Sequence, residues 1–187
     1  MSPPPGWPGR RRALGAALSA VLAPGLLAGC AGPQLADHAQ QRPVLDLRRY
    51  FDGPVTAHGM LLDWRGQVTR RFVVRIDGRW QGDEGRLDEH FEFADGERQR
   101  RIWTLRREAD GRYSGTADDV VGIARGEQAG PAFRWTYTLR IPVDGRDWDI
   151  QFDDWMFLID ERTLLNKATM RKFGLPVGEV LLSFSRP

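Results

Sequence analysis

Five polar side chains keep step with the apolar residues of the segments that carry them. Glu89 alternates with Leu87, Phe91 and Phe93, and Arg101 with Trp103 and Leu105. Asp119 shares a phase with Tyr113, Gly115, Ala117, Val121 and Ile123, Asp154 with Trp148, Ile150 and Phe152, and Asn166 with Leu164, Ala168 and Met170. A polar group on a dry face needs a partner, because burying it unpaired is costly. Carboxyls that share such a site also push one another's pKa upward, which is how proteins make a general acid. Three carboxyls, one guanidinium and one amide could therefore act in two ways. They could satisfy one another, with Arg101 bridging Glu89 and the aspartates to specify a closed barrel end. They could equally form a polar patch that fixes the head group of a ligand while aromatic residues hold its tail. Both readings stay open at this level.

Catalytic chemistry has little support. Asp118-Asp119 and Asp153-Asp154 are adjacent on extended segments, so each pair is split between opposite faces and neither is a carboxylate dyad. Asp119 and Asp154 could still approach across a barrel. The three histidines are out of place for a base: His38 precedes the first strand, His58 stands beside Gly59, and His90 lies on the outward phase. Ser114 also points outward, and no nucleophile elbow, phosphate loop or dinucleotide motif occurs. No calcium-loop spacing is present. We therefore assign no catalytic residue, no metal ligand and no cofactor.

The elements that must position the five residues are short strands. Asp-Gly pairs recur at Asp52-Gly53, Asp77-Gly78, Asp95-Gly96, Asp110-Gly111 and Asp144-Gly145, and such pairs between alternating segments are strong hairpin signals. The segments between them alternate with period two, as in Phe133, Trp135, Tyr137, Leu139 and Ile141 against Arg134, Thr136, Thr138 and Arg140. Such alternation marks strands with one dry side. A three-residue loop Ala94-Asp95-Gly96 pairs Phe93 with Glu97, which sets Glu89 opposite Arg101 and Leu87 opposite Trp103. Tyr113–Ile123 reads as one strand, and Leu164–Lys172 as another. Past Phe152 the apolar residues Trp155, Phe157 and Ile159 change phase, which predicts a bulge near Asp153-Asp154. If no bulge re-phases them, they form an exposed apolar strip able to dock a partner protein. Eight to ten antiparallel strands joined by tight turns predict an all-β, up-and-down barrel, since closure removes exposed edges.

The chain holds 27 Lys+Arg and 25 Asp+Glu. Arg10, Arg11 and Arg12 precede an apolar run, Ala13 to Leu26, that is too short to span a bilayer and leads into Leu27-Ala28-Gly29-Cys30. That tetrapeptide resembles the lipobox of bacterial lipoproteins, in which cleavage before the cysteine is followed by its lipidation. The expected organisation is a signal peptide over 1–29, a lipidated Cys30 and tether over 30–48, and a barrel over 49–187. Ala31 after the cysteine, by resemblance to known sorting patterns, implies an outer-membrane anchor facing the periplasm. Without the leader the charge is 24 basic against 25 acidic residues, which gives no field for nucleic acid. Cys30 is the only cysteine and, once lipidated, has no free thiol, so disulfides, zinc clusters and a thiol nucleophile drop out together.

Several runs resemble a family of bacterial lipoproteins of unassigned activity, domain of unknown function 3833. They are Tyr50-Phe51-Asp52-Gly53, Leu87-Asp88-Glu89-His90-Phe91, Arg101-Ile102-Trp103, Asp118-Asp119-Val120-Val121-Gly122, Asp153-Asp154-Trp155-Met156, Lys172-Phe173-Gly174 and Gly178-Glu179-Val180. The likeness covers about Tyr50 to Phe184 and implies a lipoprotein with a lipocalin-like barrel. On this reading the barrel takes a small apolar or amphipathic, fatty-acid-like ligand. Phe91, Trp103, Trp135 and Tyr137 wall the cavity, Arg101 meets a carboxylate, and Glu89, Asp119, Asp154 and Asn166 complete the site. The expected partners are the membrane, through the anchor, and that ligand. The competing reading is a non-enzymatic scaffold or assembly factor of the cell envelope.

Overall fold

The structure is a computed structural model and describes residues 32–143 and 145–187. The leader, Cys30 and Asp144 lie outside the described residues. Residues 33–187 form one compact unit that contains every strand and both apolar clusters. The strands are β1 (Gly53–Asp63), β2 (Val68–Gln81), β3 (Glu84–Phe93), β4 (Arg98–Arg107) and β5 (Tyr113–Thr116). They continue as β6 (Ala124–Ala129), β7 (Ala132–Val143), β8 (Arg146–Leu158), β9 (Thr163–Lys172) and β10 (Leu175–Ser185). Each pairs antiparallel with the next, and β1 pairs with β10 from Thr56↔Ser185 to Asp63↔Gly178, closing a ten-stranded up-and-down barrel.

Turn chemistry explains the registers. Phe93 N–H donates to the Glu97 carbonyl and Gly96 N–H to the Phe93 carbonyl, both at 2.9 Å. Gly96 takes the left-handed φ of +89° that this three-residue loop requires. Glu89 accordingly faces Arg101, and Leu87 faces Trp103, as the sequence predicts.

Three expectations are corrected. Asp77-Gly78 is not a hairpin turn: it lies within β2, where it pairs with Asp88 and Leu87 of β3. Tyr113–Ile123 is not one strand: β5 ends at Thr116, and residues 117–123 form a loop. That loop turns back over the wall, where Val120 bridges Leu139, Val121 N–H donates to Thr138 O (2.8 Å) and Arg140 N–H donates to Asp119 O (2.8 Å). Paired aspartates and a left-handed Gly122 (φ +78°) favour a loop, and the loop's backbone satisfies β7 where β6 is too short to reach it. Nor is there a bulge at Asp153-Asp154, because β8 runs in continuous register with both β7 and β9. Trp155 and Phe157 therefore stand on the outer wall, where the His38 ring meets them edge-on at 6.3 and 5.0 Å.

One end of the barrel is stoppered. A 3-10 turn (Leu35–His38) packs on β6 and β7, and a single helical turn, α1 (Leu47–Tyr50), follows. Asp46 caps α1 by accepting from Arg49 N–H (3.2 Å). Leu45, Leu47, Tyr50 and Phe51 are buried there. The Tyr50 hydroxyl donates to the Arg162 and Phe184 carbonyls (2.9 and 3.2 Å), and the Phe51 ring meets Phe184 edge-on at 5.6 Å. The other end carries only the β1–β2, β3–β4, β7–β8 and β9–β10 turns and the 117–123 loop, with no capping segment among the described residues.

Candidate functional site

Alternation points Val74, Ile76, Leu87, Trp103, Leu105, Trp135 and Leu139 inward, where all are buried. Inward glycines make room for the large rings. A Cβ on Gly126 would lie 2.4 Å from both Phe133 and Trp135, and one on Gly115 would lie 2.7 Å from Leu105. The rings do not fill the interior. A largely apolar cavity of about 290 Å³ runs through it, at the lower bound of the range typical of small-molecule sites. Glu89, Phe91, Arg101, Trp103, Trp135, Tyr137, Asp154 and Asn166 all line it.

The polar residues form two groups. Arg101 grips Asp119 with Nε at 2.9 and 3.1 Å from its two oxygens and Nη2 at 2.7 Å from Oδ2. The Arg101 Nη1 also lies 3.8 Å from Glu89 Oε2, and the guanidinium sits 5.4 Å from the Phe91 ring centre. Burial pushes the Glu89 carboxyl up to about 7, opposed by Arg101 and reinforced by Asp119. In the second group, Tyr137 OH donates to Asp154 Oδ2 (3.3 Å) and Asn166 Nδ2 to Asp154 Oδ1. Burial pushes Asp154 up to about 7, with Asp153 and Glu89 adding to the rise and the Tyr137 hydrogen bond opposing it. Burial likewise raises the Tyr137 phenol well above its usual value, so it stays a donor. The Asn166 Oδ1 is buried with no hydrogen-bond partner. Tyr137 is stacked on Phe152 (5.0 Å) and met edge-on by Trp103 (5.4 Å), which fixes the phenol.

Of the two readings open for Arg101, these contacts are the ones that mutual satisfaction requires: its guanidinium is met by the protein's own Asp119 carboxylate, with Glu89 alongside. Asp119 itself does not line the cavity; it stands behind Arg101 on the 117–123 loop. With Glu89 and Asp154 held near neutrality, the interior offers acceptors and proton-bearing carboxyls, not an unmatched cation. Two polar lining residues went unrecognised in the sequence. Arg70 and Gln99 face inward near the open end, with Arg70 Nη2 at 2.8 Å from Asp95 Oδ2 and from Glu97 Oε2 and its guanidinium 3.6 Å from the Phe93 ring centre. The signal for Arg70 was available: it shares the phase of Phe72, Val74 and Ile76.

The fold is a closed meander barrel with one stoppered end, one open end and an apolar interior, an architecture compatible with binding a small molecule. The chain matches, over residues 25–186, the family described as Protein of unknown function (DUF3833), and it belongs to that family. The match reaches past both ends of the likeness visible in the motifs and takes in Cys30. No curated protein matches the chain.

Proposed function

We propose that this barrel binds a small, fatty-acid-like amphipathic molecule whose polar end is uncharged when bound. The observation that carries the reading is the cavity itself, lined by a near-neutral Asp154 and by Asn166, whose buried Oδ1 has no protein partner. A hydroxyl, or a carboxyl in its protonated form, donates to that oxygen and accepts from the carboxyls nearby, while Phe91, Trp103 and Tyr137 hold the chain. An ionised carboxylate would meet Glu89 and Asp154 as they lose their protons above pH 7, and Arg101 is already engaged by Asp119. Cys30 anchors the barrel to a membrane of the cell envelope, the outer membrane facing the periplasm, on the support of the lipobox-like Leu27-Ala28-Gly29-Cys30 and of Ala31.

The test is mass spectrometry of organic extracts from natively purified protein, followed by titration of the emptied protein with a long-chain alcohol and the matching carboxylate. The expected result is a stoichiometric amphipath, alcohol binding that is steady below pH 7 and weakens only as the interior carboxyls ionise, and carboxylate binding that already weakens by about tenfold per pH unit above the ligand's own pKa. Asn166→Leu should lower alcohol affinity by about 1–3 kcal/mol. An empty, cooperative protein that binds neither would overturn the reading in favour of the envelope scaffold.

A further inference from the structure

The open end carries an apolar surface of its own. Nine of the twelve large hydrophobic residues exposed among the described ones stand at this end. They sit on four consecutive tips around the ring: Trp64 in the β1–β2 turn, Phe173 and Leu175 at β9–β10, Val143 and Trp148 at β7–β8, and Ile123 on the 117–123 loop. Phe173 is 87 % exposed, Trp64 70 % and Leu175 69 %. Scattered apolar residues are ordinary on a protein surface, but nine gathered on one rim are not.

Phe173 adds a second observation. It has φ +52° and is the only non-glycine residue described with a left-handed backbone. The turn Phe173-Gly174 places both residues at positive φ, where asparagine or aspartate would normally precede glycine. A bulky ring here works against the backbone and against solvent at once, and nothing in the fold requires it, since the ring packs on no core.

Cations stand among these tips. Arg65 lies 4.6 Å from the Trp64 ring centre, and Lys172 Nζ lies 4.8 and 4.9 Å from those of Phe173 and Trp148. Arg146 and Arg171 flank them, with Asp147 and, on the 117–123 loop, the exposed Asp118 as the acids alongside. Asp63 is tied to the Arg65 and Gln67 amides (2.9 Å each), and Asp149 is paired with Arg140 (3.1 Å). Aromatic and aliphatic tips interleaved with lysine and arginine match the interface of an anionic bilayer, where rings reach the acyl boundary and cations meet phosphates. The barrel wall does not fit lipid, because it turns ion pairs such as Arg134–Asp153 and Arg100–Asp88 outward. The fifth tip, Ala94-Asp95-Gly96-Glu97, is acidic and engaged with Arg70, so the apolar rim is a crescent with one polar gap.

We infer that the open rim of the barrel docks onto an anionic phospholipid surface, inserting Trp64, Phe173 and Leu175 beside the mouth of the cavity. This contact is independent of any anchor at Cys30 and does not require that the cavity hold a ligand. Residues 33–187, confirmed folded by circular dichroism and a cooperative melt, are to be sedimented with vesicles of phosphatidylcholine and phosphatidylglycerol at 3:1. The expected result is binding that falls about tenfold or more in the triple variant Trp64→Ser, Phe173→Asn, Leu175→Ser, and that weakens in 0.5 M salt or on pure phosphatidylcholine. Phe173→Asn suits the turn, so the variant should melt no lower than the parent. In the intact chain reconstituted through its N-terminus, brominated acyl chains should quench tryptophan emission, and Trp64→Phe should remove most of that quenching. Equal sedimentation of parent and triple variant, or absence of quenching, would overturn the proposal. So would a parent that sediments as a dimer broken by the triple variant, which would make the rim a contact between copies.

Discussion

Arg101 touches two acids that behave differently. Asp119 takes its hydrogen bonds, whereas Glu89 feels its charge from 3.8 Å. Removing the guanidinium would leave Glu89 buried beside Asp119 with no cation between them. Arg101 is about one-fifth exposed, so Arg101→Ala should cost about 2–3 kcal/mol, below the 3–5 typical of a fully buried pair; urea denaturation checks this. Glu89 and Asp154 set the pH response. Both titrate near 7 in the fold, against 4.5 and 3.8 ordinarily, so the folded state holds more protons than the unfolded state between those values. Their contribution is greatest below pH 4, declines as pH rises from 4 to 7, and is fully lost above 7. The unfolding free energy from urea denaturation should therefore fall between pH 5 and pH 8, by on the order of a few kcal/mol, and the double variant Glu89→Gln, Asp154→Asn should flatten the slope. Asp88 acts in the opposite sense. Its hydrogen bond from Arg100, with Arg86 adding to it, outweighs the cost of burial and holds its carboxyl well below the usual range, so its contribution disappears only in strong acid.

At the scale of elements, α1 and β2 meet where no side chain fits. A Cβ on Gly78 would stand 1.7 Å from the Phe51 carbonyl oxygen, backbone that cannot swing aside. Gly78→Ala should cost about 3 kcal/mol and displace α1 from the closed end. Gly96→Ala, open in space but strained at φ +89°, should cost nearer 1 kcal/mol; thermal melts of the two variants separate the cases. These elements also show what alternation can reveal. Register was legible at β3–β4 because shifting the loop by one residue would have put Glu89 and Arg101 on opposite faces. The 117–123 loop was not legible, since Val121 and Ile123 keep strand phase while standing in solvent. Trp155 and Phe157 misled in the same way: period two tells one face from the other but not which is dry. The site was legible as a list of inward residues. The pairing of Arg101 with an aspartate was legible in the shared phase, but its route was not: Asp119 reaches Arg101 from a loop that folds back over the wall and not from a strand.

On the scale of the whole molecule, the barrel is polarised. The chain enters β1 at the stoppered end, and the apolar crescent and cavity mouth lie at the other. If Cys30 is lipidated, Cys30→Ser should abolish incorporation of a labelled fatty acid and release the protein from the membrane fraction, and Ala31→Asp should redirect it to the inner membrane; radiolabelling with membrane fractionation reads both outcomes.

Nine of the ten strand pairings join neighbours in sequence, and only β1 with β10 joins the two ends of the sheet. That single seam spans the longest loop the chain must close, so the hairpins can form in order and the seam last. It is not the weakest pairing, however: it carries eight residue pairs, against three at β5–β6 and four at β4–β5. Arg186, just past β10, also reaches the Arg49 and Asp52 carbonyls ahead of β1 (2.5 and 3.1 Å). A meander zipped last along such a seam should part, under partial unfolding, at the short strands opposite and not where its two ends meet.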